Sequence, residues 1–239
     1  MLEFENIFYM QTPKEYTLSG INFICRHRQK IAVVGSTGAG KTALINLLMR
    51  FYGVNGGKIT LDGVPTADMT RRDLRSSLGM VLQDTWLFGG TIAENIAYGR
   101  PGAPMEEIAA AAKAAKVDFF IRTMPQQYDT IIDNEAGNIS MGQRRLITTA
   151  RVFLCGPAVI IPDETTSSVD TRTEAEISKA MKRLMRERTS FVIAHRLSTI
   201  RDADTILFMQ NGSIIEHGSH KELLRRGGAY AELYYSQFA

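Results

Sequence analysis

The stretch from Ile31 to Met49, IAVVGSTGAGKTALINLLM, decides the fold. Ile31 to Val34 is a short apolar run, the pattern of a parallel strand buried on both faces. Gly35-Ser36-Thr37-Gly38-Ala39-Gly40-Lys41-Thr42 follows and fits G-x-x-x-x-G-K-S/T, after which Leu44, Ile45, Leu47 and Leu48 fall at helical spacing. Strand, glycine turn and helix in that order point to a phosphate site. The glycines let the backbone curl so that successive N–H groups face an anion. The helix beginning near Lys41 adds the positive end of its dipole. Lys41 brings a mobile full charge for the β and γ phosphates, and Thr42 a hydroxyl for Mg²⁺.

On the N-terminal side, Leu2 to Phe8 alternates as a strand and Ile21 to Cys25 forms a second, with a polar turn from Gln11 to Lys14 between them. Beyond the first helix, Lys58 to Leu61 is a strand closed by the Asp62-Gly63 turn. Thr70 to Asp73 opens a short helix, and Gly79 to Leu82 is another apolar strand. From Thr85 to Pro157 the character changes. Pro104 to Lys116 is alanine-rich and helical, Val117 to Met124 extends it, and a second long helix runs from Gly142 to Leu154. No strand is expected in this stretch, so it reads as a helical insertion. Strands and helices alternate again afterwards: strands at Ala158–Ile161 and Ser190–Ala194, a helix at Thr171–Met185. A hairpin turns at Asn211-Gly212, and two helices close the chain. The expected division is residues 1–84 and 158–239 as an α/β core plus β subdomain, with 85–157 as the insertion.

Composition sets bounds. At 239 residues, 44% hydrophobic and 22% charged, the chain has ordinary globular usage. A net charge of +3 gives little footing for nucleic acid. No apolar run approaches the ~18 residues that span a bilayer. Met1 leads directly into LEFENIF, so no leader is expected. Cys25 and Cys155 have no metal or redox spacing and are expected to be reduced thiols.

A second cluster follows the Val159-Ile160-Ile161-Pro162 run, which ends in Asp163 and Glu164. Ends of parallel strands face the ligand crevice. Asp163 is placed to reach the Mg²⁺ shell, and Glu164, one step further out, to orient the water that attacks the γ phosphate. Alone, two acids at a strand end are ordinary surface chemistry; beside a phosphate loop they are candidates for catalysis.

Further segments carry a family resemblance: Leu82-Gln83-Asp84, Gly90 to Gly99 (GTIAENIAYG), Ile139 to Arg144 (ISMGQR), Thr166 to Asp170 (TSSVD), Ile193 to Thr199 (IAHRLST) and Asn211 to Leu224. In this order, over nearly the whole chain, they resemble the nucleotide-binding domain of exporter-type ATP-binding cassette (ABC) transporters. The resemblance implies an α/β fold of the P-loop NTPase, RecA-like kind, with an antiparallel β subdomain and a helical insertion. It implies ATP and Mg²⁺ as cofactors, with the nucleotide on Gly35 to Thr42, Ala43 and the adenine-stacking position, Gln11. Gln83 would join Thr42 and Asp163 at the metal, and Gln83, Glu164 and His195 would be catalytic. Ser140, Met141, Gly142 and Gln143 would be the signature that holds a phosphate bound to the opposite subunit, and Asp170 would cross the dimer. The implied partners are a second, non-identical nucleotide-binding domain and a transmembrane domain absent from this chain. The implied place is the cytoplasmic face of a membrane, and the implied activity is ATP hydrolysis that drives export.

The departures from the pattern are informative. The signature reads ISMGQ where the family has LSGGQ, so Met141 stands for a glycine. A side chain there would crowd the ligand and would be restricted at positive φ. With Lys41, Thr42, Gln83, Asp163, Glu164 and His195 intact, the set resembles one half of a heterodimeric exporter that lends a weak signature to its partner. Gln11 replaces the stacking aromatic, with Tyr9 and Tyr16 as the nearby rings; losing that contact costs about 1 kcal/mol and weakens base selectivity. Pro162 is tolerated best at a strand end. Ala43 leaves only its N–H for the α phosphate. Ile132 to Asn138 lacks the exporter V-G-E-x-G pattern. The alternative reading is a regulatory cassette that binds ATP and hydrolyses little of it.

Overall fold

The computed structural model describes residues 1–12, 16–81, 85–133, 138–162, 171–186, 188–194 and 197–238. Gln83, Asp163, Glu164, Asp170 and His195 lie outside the described residues. In chain order the elements are β1 (Leu2–Tyr9), β2 (Leu18–Cys25), β3 (Lys30–Val34), α1 (Lys41–Leu48), β4 (Gly56–Leu61), β5 (Val64–Pro65) and α2 (Arg71–Ser76). Next come β6 (Leu78–Val81), β7 (Gly90–Thr91), α3 (Ile92–Ala97), α4 (Met105–Ala114), α5 (Asp118–Thr123), β8 (Ile131–Ile132), α6 (Met141–Cys155), β9 (Val159–Pro162) and α7 (Thr171–Met185). The last are β10 (Thr189–Ile193), α8 (Leu197–Arg201), β11 (Thr205–Gln210), β12 (Ser213–Gly218), α9 (His220–Arg226) and α10 (Ala229–Phe238). Two compact units result: Met1–Leu78 with Glu187–Ala239, and Gly79–Arg186.

In the first unit, β3 lies between β10 and β11 and is parallel to both. Ile31 to Val34 and all of β10 are buried, as a strand covered on both faces requires. β11 returns antiparallel as β12 through Asn211 and Gly212, whose φ values of 47° and 74° suit a type I′ turn. The antiparallel subdomain expected from the alternating N-terminus is a sheet of order β2-β1-β4-β5. Leu2, Phe4, Ile7 and Tyr9 form the buried face of β1. Phe4, Phe23 and Phe191 stack with centroids 4.2 to 6.2 Å apart, which joins this sheet to β10.

The second unit holds α3 to α7 around one core, to which α7 adds Ile177, Ala180, Met181 and Leu184. Two sequence expectations change here. The helix extended through Val117 is instead two helices, because Lys116 adopts φ 65° and turns the chain. Val117 N–H donates to the Ala112 carbonyl and Lys116 N–H to that of Lys113, which closes α4 as a Schellman motif with lysine at the usual glycine position. The stretch expected to lack strands carries one short antiparallel pair, β7 with β8.

A polar knot fastens α3 to α6. Arg151 donates to the carbonyls of Asn95 (2.5 Å) and Trp86 (2.7 Å) and to Asn95 Oδ1 (2.6 Å). Its guanidinium also lies 5.5 to 6.0 Å from the ring centroids of Trp86, Phe88 and Tyr98. Burial holds its pKa down at about 10.

Candidate functional site

The phosphate loop leaves β3 and enters α1 within the first unit. Two contacts dictate its glycines. A Cβ on Gly35 would stand 2.2 Å from the Met209 carbonyl oxygen, and one on Gly40 would stand 2.7 Å from Leu18 Cδ2. Gly40 is the N-cap of α1, with φ 99° and no side-chain cap, and the first turn of α1 contains no acid. Backbone N–H groups at that end are therefore left for an anion, and the dipole favours one. Met209 and Gly212, at the β11–β12 turn, also brace the loop: Gly212 N–H donates to the Ala39 carbonyl at 3.2 Å.

Lys41 Nζ donates to the carbonyls of Gly35 (2.7 Å) and Ser36 (2.8 Å), so its charge sits over the loop. Burial lowers its pKa from the ordinary lysine value. Ser36, Thr37 and Thr42 are exposed, whereas Ala39 is buried under the turn and Ala43 is half-buried. The Thr42 hydroxyl is a hard oxygen donor of the kind that Mg²⁺ takes, as are the side chains of Gln83 and Asp163. β10 ends beside the loop's origin, with Ala194 N–H donating to the Val33 carbonyl at 3.2 Å, immediately before His195 in the chain.

Gln11 is exposed, and its N–H donates to Thr17 Oγ1 at 3.2 Å. Tyr9 is buried against Tyr52, with centroids 5.8 Å apart. Tyr16 is half exposed and packs edge-to-face on Phe8 at 5.5 Å.

In the second unit the signature residues open α6. Ser140 Oγ accepts from Gln143 N–H, and Gln143 Oε1 accepts from Ser140 N–H, a reciprocal capping box. Met141 has negative φ and is the first helical residue. The backbone strain expected from a non-glycine residue is therefore absent, and its side chain is 54% exposed. Pro162 is the last residue of β9, where a missing ladder donor is tolerated.

Comparison with known proteins gives one answer. The family model described as "ABC transporter" matches residues 18–167. A "Fatty acid ABC transporter ATP-binding/permease protein" of Mycobacterium tuberculosis is 54% identical over 232 residues, 97% of this chain and 37% of that protein. A "Putative multidrug export ATP-binding/permease protein" of Bacillus subtilis is 44% identical over 98% of this chain and 40% of its own length. Among solved structures, a bacterial Atm1-family ABC exporter with ATP bound matches with a TM-score of 0.89 and 42% identity, over all of this chain and 42% of that one. The chain thus spans about two-fifths of the length of these relatives. It belongs to the ABC transporter family, as an ATP-binding, ATPase domain of that family.

Proposed function

We propose that this domain binds MgATP on Gly35 to Thr42, closes head-to-tail on a second, non-identical cassette, and hydrolyses the nucleotide to power a transmembrane exporter. The observation that carries the reading is the uncapped N-terminus of α1 behind a turn whose first glycine, Gly35, leaves no room for a Cβ, with Lys41 donating to the carbonyls of Gly35 and Ser36. Lys41 pairs with the β and γ phosphates. Thr42, Gln83 and Asp163 hold Mg²⁺, which supplies charge neutralisation on the phosphate oxygens when bound. Glu164 accepts a proton from water as the water oxygen attacks the γ phosphorus, and the bond from that phosphorus to the β–γ bridging oxygen breaks, which releases ADP. His195 donates to the γ phosphate and is itself steadied by Glu164. Asp170 spans the dimer.

Across the dimer, α6 offers its N-terminus to the partner's nucleotide. Ser140 Oγ accepts from Gln143 but keeps its own hydrogen to donate, and the dipole of the 15-residue α6 adds to it. Met141 sits at that tip, which supports a weak contribution to the partner's site. The membrane-spanning part lies outside this chain, and the placement that follows is the cytoplasmic face of a membrane. The name of the fatty acid transporter relative supports a lipid-like cargo.

The test is Glu164→Gln. The variant should retain MgATP and form a stable dimer without turnover; undiminished hydrolysis would remove Glu164 from the mechanism.

A further inference from the structure

We propose that Gly212, in the β11–β12 turn, is a positioning residue for the nucleotide's phosphates: its N–H fixes the Ala39–Gly40 peptide so that the Gly40 N–H faces the anion. This rests on the MgATP reading above. It adds to the phosphate loop a part drawn from the far end of the chain.

The inference starts from one peptide plane. The Ala39 carbonyl accepts from Gly212 N–H at 3.2 Å, and the peptide that follows it is trans. In a trans peptide the carbonyl and the next N–H point in opposite directions. With its oxygen turned to the hairpin, this peptide must aim the Gly40 N–H away from the hairpin. The Ala39 N–H is spent inside the loop on the Ser36 carbonyl (3.2 Å), whereas the Gly40 N–H has no protein acceptor among the described residues. It is a donor kept for a ligand.

The loop's own chemistry permits the opposite orientation. Gly40 stands at φ 99°, and glycine takes negative φ about as readily, so the peptide before it could flip. Flipped, it would show a phosphate the Ala39 oxygen where a donor is needed. The hairpin is built to prevent this. The Gly212 carbonyl accepts from Ser19 N–H at 2.9 Å, and Ser213 Oγ donates to the Ser19 carbonyl at 3.0 Å, so the turn is anchored on β2. Gly212 has φ 74°, and a Cβ on it would stand 2.4 Å from the Thr17 carbonyl oxygen. Both the conformation and the close approach require glycine there. Any side chain at this position pushes the turn off its anchor and takes the N–H away from Ala39.

Titration calorimetry of the 239-residue chain with MgATP and magnesium tripolyphosphate tests this. Gly212→Ala should raise the Kd of both ligands by about tenfold at unchanged stoichiometry, since each loses the same donor to a charged group. Asn211→Gly keeps the N–H and a turn suited to positive φ, and should bind like the unaltered chain. An unchanged Kd in Gly212→Ala overturns the proposal. So does a fall in stoichiometry at unchanged Kd, the mark of misfolded chains and not of a turned peptide, and so does an equal loss in Asn211→Gly. In the unaltered chain, amide magnetic resonance should show the Gly40 signal moving as tripolyphosphate binds; a Gly40 amide indifferent to the bound ligand overturns the proposal with no variant needed. An unaltered chain that binds neither ligand would refute the MgATP reading itself, a result distinct from all of these.

Discussion

Lys41 shows how much one side chain contributes here. It meets two loop carbonyls and sits in the field of an uncapped helix end. Removing a charged donor of this kind costs about 1.5–3 kcal/mol of binding. Lys41→Ala should therefore lower MgATP affinity by roughly one to two orders of magnitude, read by equilibrium titration. Met141 makes the opposite kind of prediction. Its backbone is already helical, so Met141→Gly needs no rearrangement and costs the start of α6 no more than about 1 kcal/mol. The gain should appear in the other subunit: higher ATPase activity of the assembled pair, at the partner's nucleotide. No change in that rate would show that the thioether is harmless at the interface. At this scale the strand, glycine turn and helix from Ile31 to Leu48 were legible, because their pattern and their structure are both local. The buried ring of Tyr9 and the open ring of Tyr16 were not distinguishable, because their burial depends on hairpin pairing and on Tyr52, far along the chain.

Elements are governed by their ends. The capping box on α6 satisfies two backbone N–H groups, and Ser140→Ala should cost about 1 kcal/mol in denaturant unfolding besides weakening the partner's site. In α5, the Asp118 carboxylate accepts from Tyr128 OH at 2.6 Å and from Arg122 at 3.0 Å. Burial pushes its pKa up, but the bonds from Tyr128 and Arg122 outweigh that and leave it below the ordinary aspartate value. A depressed carboxylate stabilises the fold above its unfolded pKa, and the contribution disappears as pH falls through the folded one. Tyr128→Phe should thus lose about 1 kcal/mol at neutral pH, and the gap to the unaltered protein should narrow below about pH 4. A gap independent of pH would assign the loss to packing. The boundary between α4 and α5 was hidden because Lys116 takes a conformation usually announced by glycine, and a sequence offers no cue for a lysine that does so. By contrast the Asn211-Gly212 turn was plain, since both residue types favour positive φ.

For the whole molecule, the alternation of strands and helices with one helical interruption was readable from periodicity, and the match to an ABC exporter agrees with it. The extent of the second compact unit was harder to read. α7 follows the strand β9, as in any α/β repeat, yet it buries its apolar face in the core shared by α3 to α6, and that unit runs from Gly79 to Arg186. Helical periodicity shows that α7 has an apolar face but not which neighbour covers it. The prediction at this scale concerns assembly: purified alone, the chain should hydrolyse ATP slowly, and a non-identical cassette should raise the rate. Full activity as a homodimer would exclude the asymmetric pair.

Arg151 is held by peptide oxygens, an amide and ring faces. Contacts of this kind contain no pair of opposite formal charges for counter-ions to shield, so the stability lost in Arg151→Ala should be nearly the same in low and high salt, read by thermal melting. A clasp built that way holds α3 to α6 whether the surrounding solution is dilute or concentrated in ions.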